Sequence, residues 1–152
     1  MEYSHSDTEL IQQPVGYWSW AAYDAVVSRI RGALAAIGTT QPQWWVLARV
    51  ASAPGGRGRD EVTETLRGYL ATGEQTIDEE IDTAIARGWV DQDAGRVLTL
   101  TPEGRRFYEE AAALQGRLWA ERHEGITDEE YLTTLKVLQR LIHNTGGRAW
   151  HH

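Results

Sequence analysis

The sequence predicts a mainly α-helical chain carrying one small β-hairpin, and three observations lead there. Apolar residues recur at helical spacing along most of its length. A glycine-containing turn separates two short amphipathic stretches between residues 60 and 87. The segment WVDQDAGRVLTLT, residues 89–101, alternates on either side of a DAG turn as two paired strands do. Two short helices followed by a hairpin make a winged helix-turn-helix, here with further helices before and after it.

Each element has its own justification. After a polar start, Val15, Trp18, Ala22, Val26, Ile30, Ala33 and Ile37 form one stripe of a helix that Gly38 ends. Tyr17, Trp20 and Val27 lie off that stripe, so this helix is apolar on two sides and is expected between two bodies. Thr40 as cap and Pro42 in the first turn open a short, mostly buried helix carrying Trp44, Leu47 and Ala51, which stops at Pro54-Gly55-Gly56. Asp60 is the expected cap of a helix reaching Leu70, with Val62, Leu66 and Tyr69 at helical spacing. Gly73 sits in the next turn, and the second helix of the pair is expected from Gln75 to Arg87, closed by Gly88. Beyond the hairpin, Thr101 caps and Pro102 opens a long helix with Phe107, Ala111, Leu114 and Leu118 on one face. Tyr108, Ala112 and Trp119 lie beside that face. Thr127-Asp128-Glu129-Glu130 is a capping box for a last helix striped by Tyr131, Leu135, Leu138 and Ile142.

Composition narrows the function classes. A chain of 152 residues with 41% apolar residues supports one packed core, so residues 1–152 are expected to form a single domain. No apolar run is long enough to span a membrane, and Glu2, His5 and Asp7 stand where a secretory signal needs a basic, then apolar, start. A soluble, cytoplasmic protein is expected. The absence of cysteine excludes disulfides, thiolate nucleophiles and cysteine-based zinc sites. A formal net charge of −7 argues against indiscriminate adhesion to nucleic acid or anionic membrane. His5, His123 and His143 are scattered, and no phosphate loop, HExxH motif or nucleophile set occurs, so neither an enzyme nor a cofactor or metal site is indicated.

The phrases QPQWWVLARVASAPGG, EVTETLRGYL, IDTAIARGWVDQ, RVLTLTPEGRRF and ITDEEYLTTLKVLQRL, in this order, resemble the MarR family of winged-helix transcriptional regulators over roughly residues 15 to 142. The most specific part is the ARGWV turn into a hairpin that ends in LTLTPEG. The resemblance implies a homodimer held by residues 15–37 and 101–143, with residues 40–100 as the winged helix-turn-helix. It further implies a pseudopalindromic double-stranded DNA site and a small-molecule pocket where the two parts of each subunit meet. A ligand-responsive repressor is the expectation that follows.

The second helix of the pair is unusual for a DNA reader. Residues 73–90 contain Glu74, Asp78, Glu79, Glu80 and Asp82, with no basic residue before Arg87. On a helical wheel, Ile77, Ile81, Ala84 and Ile85 take one side, and Gln75, Thr76, Glu79, Asp82, Thr83 and Ala86 the other. A carboxylate about 6 Å from a phosphate costs roughly 0.7 kcal/mol in water-like dielectric, so two outward acids do not forbid binding. The candidate contacts are Gln75 to adenine, Glu79 to the cytosine amino group, and Thr76 or Thr83 to a phosphate or thymine methyl. A solvated polar face without contacts is the competing reading. Where the family offers a long basic wing, this hairpin is short, and Arg96 is its candidate for the minor groove; an Asp93 pair across the turn is the alternative. Arg57, Arg59 and Arg67 are candidates for the DNA backbone. Between residues 57 and 106 seven arginines face eleven carboxylates, so binding should be modest and sensitive to salt.

Seven tryptophans exceed what so small a core needs. Trp18, Trp44 and Trp89 are expected in core and dimer packing. Trp20, Trp45 and Trp119 fall beside the stripes, and Arg49 stands one turn beyond Trp45 on a helix apolar most of the way round. Either Arg49 stacks on Trp45 and pairs with Asp24, or it anchors the carboxylate or phenolate of a small aromatic effector. The second protein class that fits is a module of the same fold that binds ligands or proteins and no longer reads DNA.

Overall fold

The computed structural model describes residues 2–70 and 76–149. Helix α1, Asp7–Leu10, is a single turn held by a capping box between Ser6 and Glu9, in a segment expected to be merely polar. Helix α2 spans Val15–Ala36, and Gly38 ends it at a φ of 78°. Helix α3, Gln41–Ala51, starts at Thr40, whose hydroxyl accepts from the Gln43 amide while the Gln43 side chain reaches back. Strand β1, Arg57–Gly58, leads directly into helix α4, Arg59–Leu66, and one 3-10 turn over Arg67–Tyr69. Helix α5 is Ile77–Ala86, strands β2 and β3 are Val90–Gln92 and Val97–Leu100, and helices α6 and α7 are Pro102–Arg122 and Asp128–Asn144.

Several boundaries differ from the sequence reading: α4 ends at Leu66 rather than Leu70, giving way to the 3-10 turn, and α5 starts at Ile77 behind its cap Thr76 rather than at Gln75. Gly58, not Asp60, is the N-cap of α4, because the preceding residue pair is extended and joins the sheet. Strand β1 makes the wing three-stranded and antiparallel in the order β1-β3-β2, with Arg57 opposite Leu98 and Val90 opposite Leu100. A two-residue strand has no periodicity to read. Gly56 makes that pairing possible: it has a φ of 86°, and a Cβ there would stand 2.7 Å from the Leu98 carbonyl oxygen.

The core lies in the winged unit. Val46, Leu47 and Val50 of α3, Val62 and Leu66 of α4, and Ile77, Ile81 and Ala84 of α5 close on Trp89, Val90 and Leu98. A fully buried aliphatic side chain of this kind contributes about 1.5–3 kcal/mol. Trp89 stacks on Phe107 with ring centroids 4.1 Å apart, which fixes the start of α6 against the wing. Gly104 permits the approach, since a Cβ there would fall 1.8 Å from the Trp89 carbonyl oxygen. The Thr101 hydroxyl donates to the Gly88 carbonyl at 2.6 Å and accepts from the Gly104 amide at 2.9 Å.

The flanking helices pack differently. On α2 only Leu34 is fully buried, and Val15, Trp18 and Val26 of the expected stripe are exposed. The second half of that stripe, Ile30, Ala33 and Ile37, does turn toward its own chain, half-buried with Val27 around Leu34. No residue of α7 is buried. Among the described residues no helix is long and apolar enough to cross a membrane.

Candidate nucleic-acid interface

Helix α5 starts at Thr76, where the sequence carries the pattern T-x-x-E. The Thr76 hydroxyl accepts from the Glu79 amide at 3.2 Å, and Glu79 Oε2 accepts from the Thr76 amide at 2.7 Å and from its hydroxyl at 3.0 Å. Two side chains expected to meet bases thus also hold the end of the helix, at the pole where a carboxylate is favoured. The Thr83 hydroxyl donates to the Glu79 carbonyl at 2.9 Å, so its proton is not offered to a phosphate, while its methyl group stays available. Thr76, Glu79, Asp82 and Ala86 are exposed along one side of α5. Gln75 and Glu74 lie outside the described residues.

Two more of the acids answer an arginine. Arg59 Nε donates to Asp78 Oδ1 at 2.8 Å, Nη1 to Asp82 Oδ1 at 2.7 Å and to Gln92 Oε1 at 3.3 Å, and Nη2 to the Asp78 carbonyl at 2.8 Å. The residue is only 8% exposed. Hydrogen bonds donated to Asp82 and Asp78 outweigh burial and raise the Arg59 pKa above its ordinary value. The Arg59 hydrogen bond holds the Asp82 carboxyl below the usual range. Glu80 is buried. The negative charge of α5 is therefore largely architectural. Arg59, expected at the DNA backbone, is buried and makes four hydrogen bonds within the protein, so it is not placed to grip a phosphate.

The other arginines keep exposed partners. Arg57 pairs with Glu61 and also donates to the Ser52 hydroxyl. Arg67 lies 2.8 Å from Glu64. Arg96, at a φ of 61° in the β2–β3 turn, donates to Asp60 at 2.8 Å; Asp93 instead accepts from the Val97 amide, so the pairing weighed for Arg96 falls to a residue 36 positions away. Arg87, past the end of α5, donates to the Gly38 carbonyl at 2.7 Å and lies 4.5 Å from the Trp89 ring centroid.

The four residues nominated for an effector do not share one wall. Trp45 pairs with Tyr69 at 5.5 Å. Arg49 reaches Glu61 and Thr65 at 3.5 Å each, not Asp24, and its Nε is buried without an acceptor. Trp20 is 61% exposed near the start of α2, against Tyr17. Trp119 stacks on His123 at 4.1 Å, with Arg122 over its ring. It lies eleven residues, roughly 16 Å of helix, beyond Tyr108, where α6 meets Trp44 of α3. The residue that sequence reasoning missed is Gln92, for which no local signal exists. The second function of Thr76 and Glu79 was written in their spacing.

No protein-family model matches the chain, and no curated protein matches it. Solved structures do. A MarR family transcriptional regulator from Silicibacter pomeroyi superposes with a TM-score of 0.67 over 93% of this chain and 99% of its own, at 18% identity. The transcriptional repressor CouR of Rhodococcus jostii, bound to p-coumaroyl-CoA, gives 0.67 over 90% and 96%, at 22% identity. A MarR family protein of Mycobacterium tuberculosis in complex with DNA gives 0.64 over 85% and 98%, at 20% identity. This chain has the winged-helix fold of the MarR family of transcriptional regulators.

Proposed function

We propose that the protein is a homodimeric, ligand-responsive transcriptional regulator, a repressor that sets two winged heads on a pseudopalindromic duplex. The observation that carries this reading is the outer side of α5. Thr76, Glu79, Thr83 and Ala86 remain on a capped, core-anchored helix beside a wing, while Asp78 and Asp82 are engaged with Arg59. Glu79 keeps one carboxylate oxygen for a cytosine amino group, and the Thr83 methyl suits thymine. Arg57, Arg67 and Arg96 serve the backbone once duplex phosphates replace Glu61, Glu64 and Asp60; exposed pairs of this kind are worth about 0–1 kcal/mol and exchange readily.

A second copy of the chain is the fitting cover for the terminal helices. Leu132, Leu135 and Val137 on α7 and Val15, Trp18 and Trp20 on α2 are exposed in one subunit. That much apolar surface on two helices flanking the winged unit supports a dimer. For the effector, Arg49 beside the Trp45–Tyr69 pair remains the anchor for a small aromatic acid, because its long contacts and unpaired Nε leave it underused. Trp20 and Trp119 do not belong to that anchor. Titrating aromatic acids against tryptophan fluorescence and thermal stability checks it, and no response in either measurement counts against the anchor.

The alternative is a ligand- or protein-binding module without DNA readout. The same arginine pairs favour it, since each candidate backbone contact is already neutralised from within. Retention of random duplexes by the purified protein at low salt, followed by sequencing, separates the two. A recurrent palindromic sequence supports the regulator; no enrichment supports the module.

A further inference from the structure

We propose that Arg59 is the positioning residue of the reading head: it sets the angle of α5 against the wing and thereby decides which bases α5 meets, without touching DNA itself. The inference rests on the reading function proposed above. Arg57, Arg67 and Arg96 each hold exposed acid partners at the surface, whereas Arg59 is buried and donates to Asp78, to Asp82 one turn further along α5, and to Gln92 of β2. Its backbone amide donates to the Arg96 carbonyl in the wing turn at 2.9 Å. One residue at the start of α4 therefore ties together the reading helix, the second strand and the tip of the wing.

The geometry needs a guanidinium. Its planar fork presents donors in several fixed directions, which lets one side chain grip two carboxylates a helical turn apart and the Gln92 side-chain oxygen at once; an ammonium is a single point. Asp78 and Asp82 are then counter-charges of the clamp, not repulsive decoration of the DNA-facing side. This reverses the simple electrostatic expectation that deleting an acid from α5 strengthens binding to a polyanion.

The test compares Asp82→Ala, Arg59→Met and Arg59→Lys with Asp91→Ala, which removes an exposed β2 acid that takes no part in the clamp. Affinity for a duplex enriched from a random pool, affinity for a scrambled duplex, the salt slope, and amide hydrogen exchange along α5 are measured for each. Asp91→Ala is expected to bind both duplexes slightly more tightly. Asp82→Ala, with the same charge change, is expected to lose about tenfold on the enriched duplex, the worth of one good base contact, and to discriminate less. Arg59→Met should do likewise with its salt slope unchanged, whereas loss of a phosphate contact lowers the slope by about one. Tighter binding by Asp82→Ala, or a slope reduced by about one in Arg59→Met, overturns the proposal. If Arg59→Met does not fold, Arg59→Lys decides: it keeps the charge, and wild-type discrimination in that variant overturns the clamp. Should the wild-type protein enrich no duplex, the reading function fails by itself. The clamp is then judged on the free protein, where faster exchange along α5 than in α3 on losing the guanidinium supports it and unchanged exchange refutes it.

Discussion

Helices α5 and α7 begin with the same local device, and they end in opposite circumstances. Thr76 and Glu79 close the first turn of α5 as Thr127 and Glu130 close that of α7, each with a reciprocal pair of hydrogen bonds. Yet α5 buries Ile77, Ile81 and Ala84 in the core of its own chain, and α7 buries nothing. The difference teaches that a cap specifies where a helix starts, not what it packs against. The stability of α5 comes from within its own chain, from the core and the Arg59 clamp, whereas α7 leaves Leu132, Leu135 and Val137 exposed.

The comparison breaks most visibly at the apolar positions. Ile81→Ala removes a fully buried side chain from α5 and is expected to cost about 2–5 kcal/mol at any protein concentration, read by chemical denaturation. Leu135→Ala on α7 should leave dilute protein nearly unaffected and weaken self-association, seen as a concentration-dependent shift in sedimentation. Equal effects of the two substitutions would erase the distinction. Next in size is Gly104→Ala, which drives a methyl group into the Trp89 carbonyl; separating the start of α6 from the wing should cost about 1–3 kcal/mol or more and lower the melting temperature.

Caps sharpen the comparison because they should act alike. Thr76→Ala and Thr127→Ala are each expected to cost about 1 kcal/mol of helix stability. Only the first should also weaken duplex selection. The smallest effect is acid sensitivity. The Asp82 carboxyl has its folded pKa depressed by the Arg59 hydrogen bond, so its contribution is complete above the unfolded value of about 3.9 and fades as the pH falls through the lower folded value. The stability gap between wild type and Asp82→Ala should therefore be flat from neutrality down to about pH 5 and shrink below pH 4. A gap that grows on acidification would contradict the assignment. Glu130, lowered by the Thr127 amide and hydroxyl, follows the same sign.

The sequence by itself determined what is local. The caps at Thr40, Thr101 and Thr127, the left-handed glycines at 38 and 88, and the hairpin after Trp89 each depend on residues within a few positions of one another, where chain connectivity does the aligning. Thr76 and Glu79 show that a local signal can be present and still be assigned to another task. The tertiary structure decided the rest. Arg59 meets Asp78, Asp82 and Gln92 across 19, 23 and 33 residues, and Arg96 meets Asp60 across 36. It also chose which face of α2 turns inward and which of the expected aromatic residues stand apart. Such meetings follow from how the core brings elements together, so a charge pattern along the chain records that acids and arginines are present without recording which of them will pair.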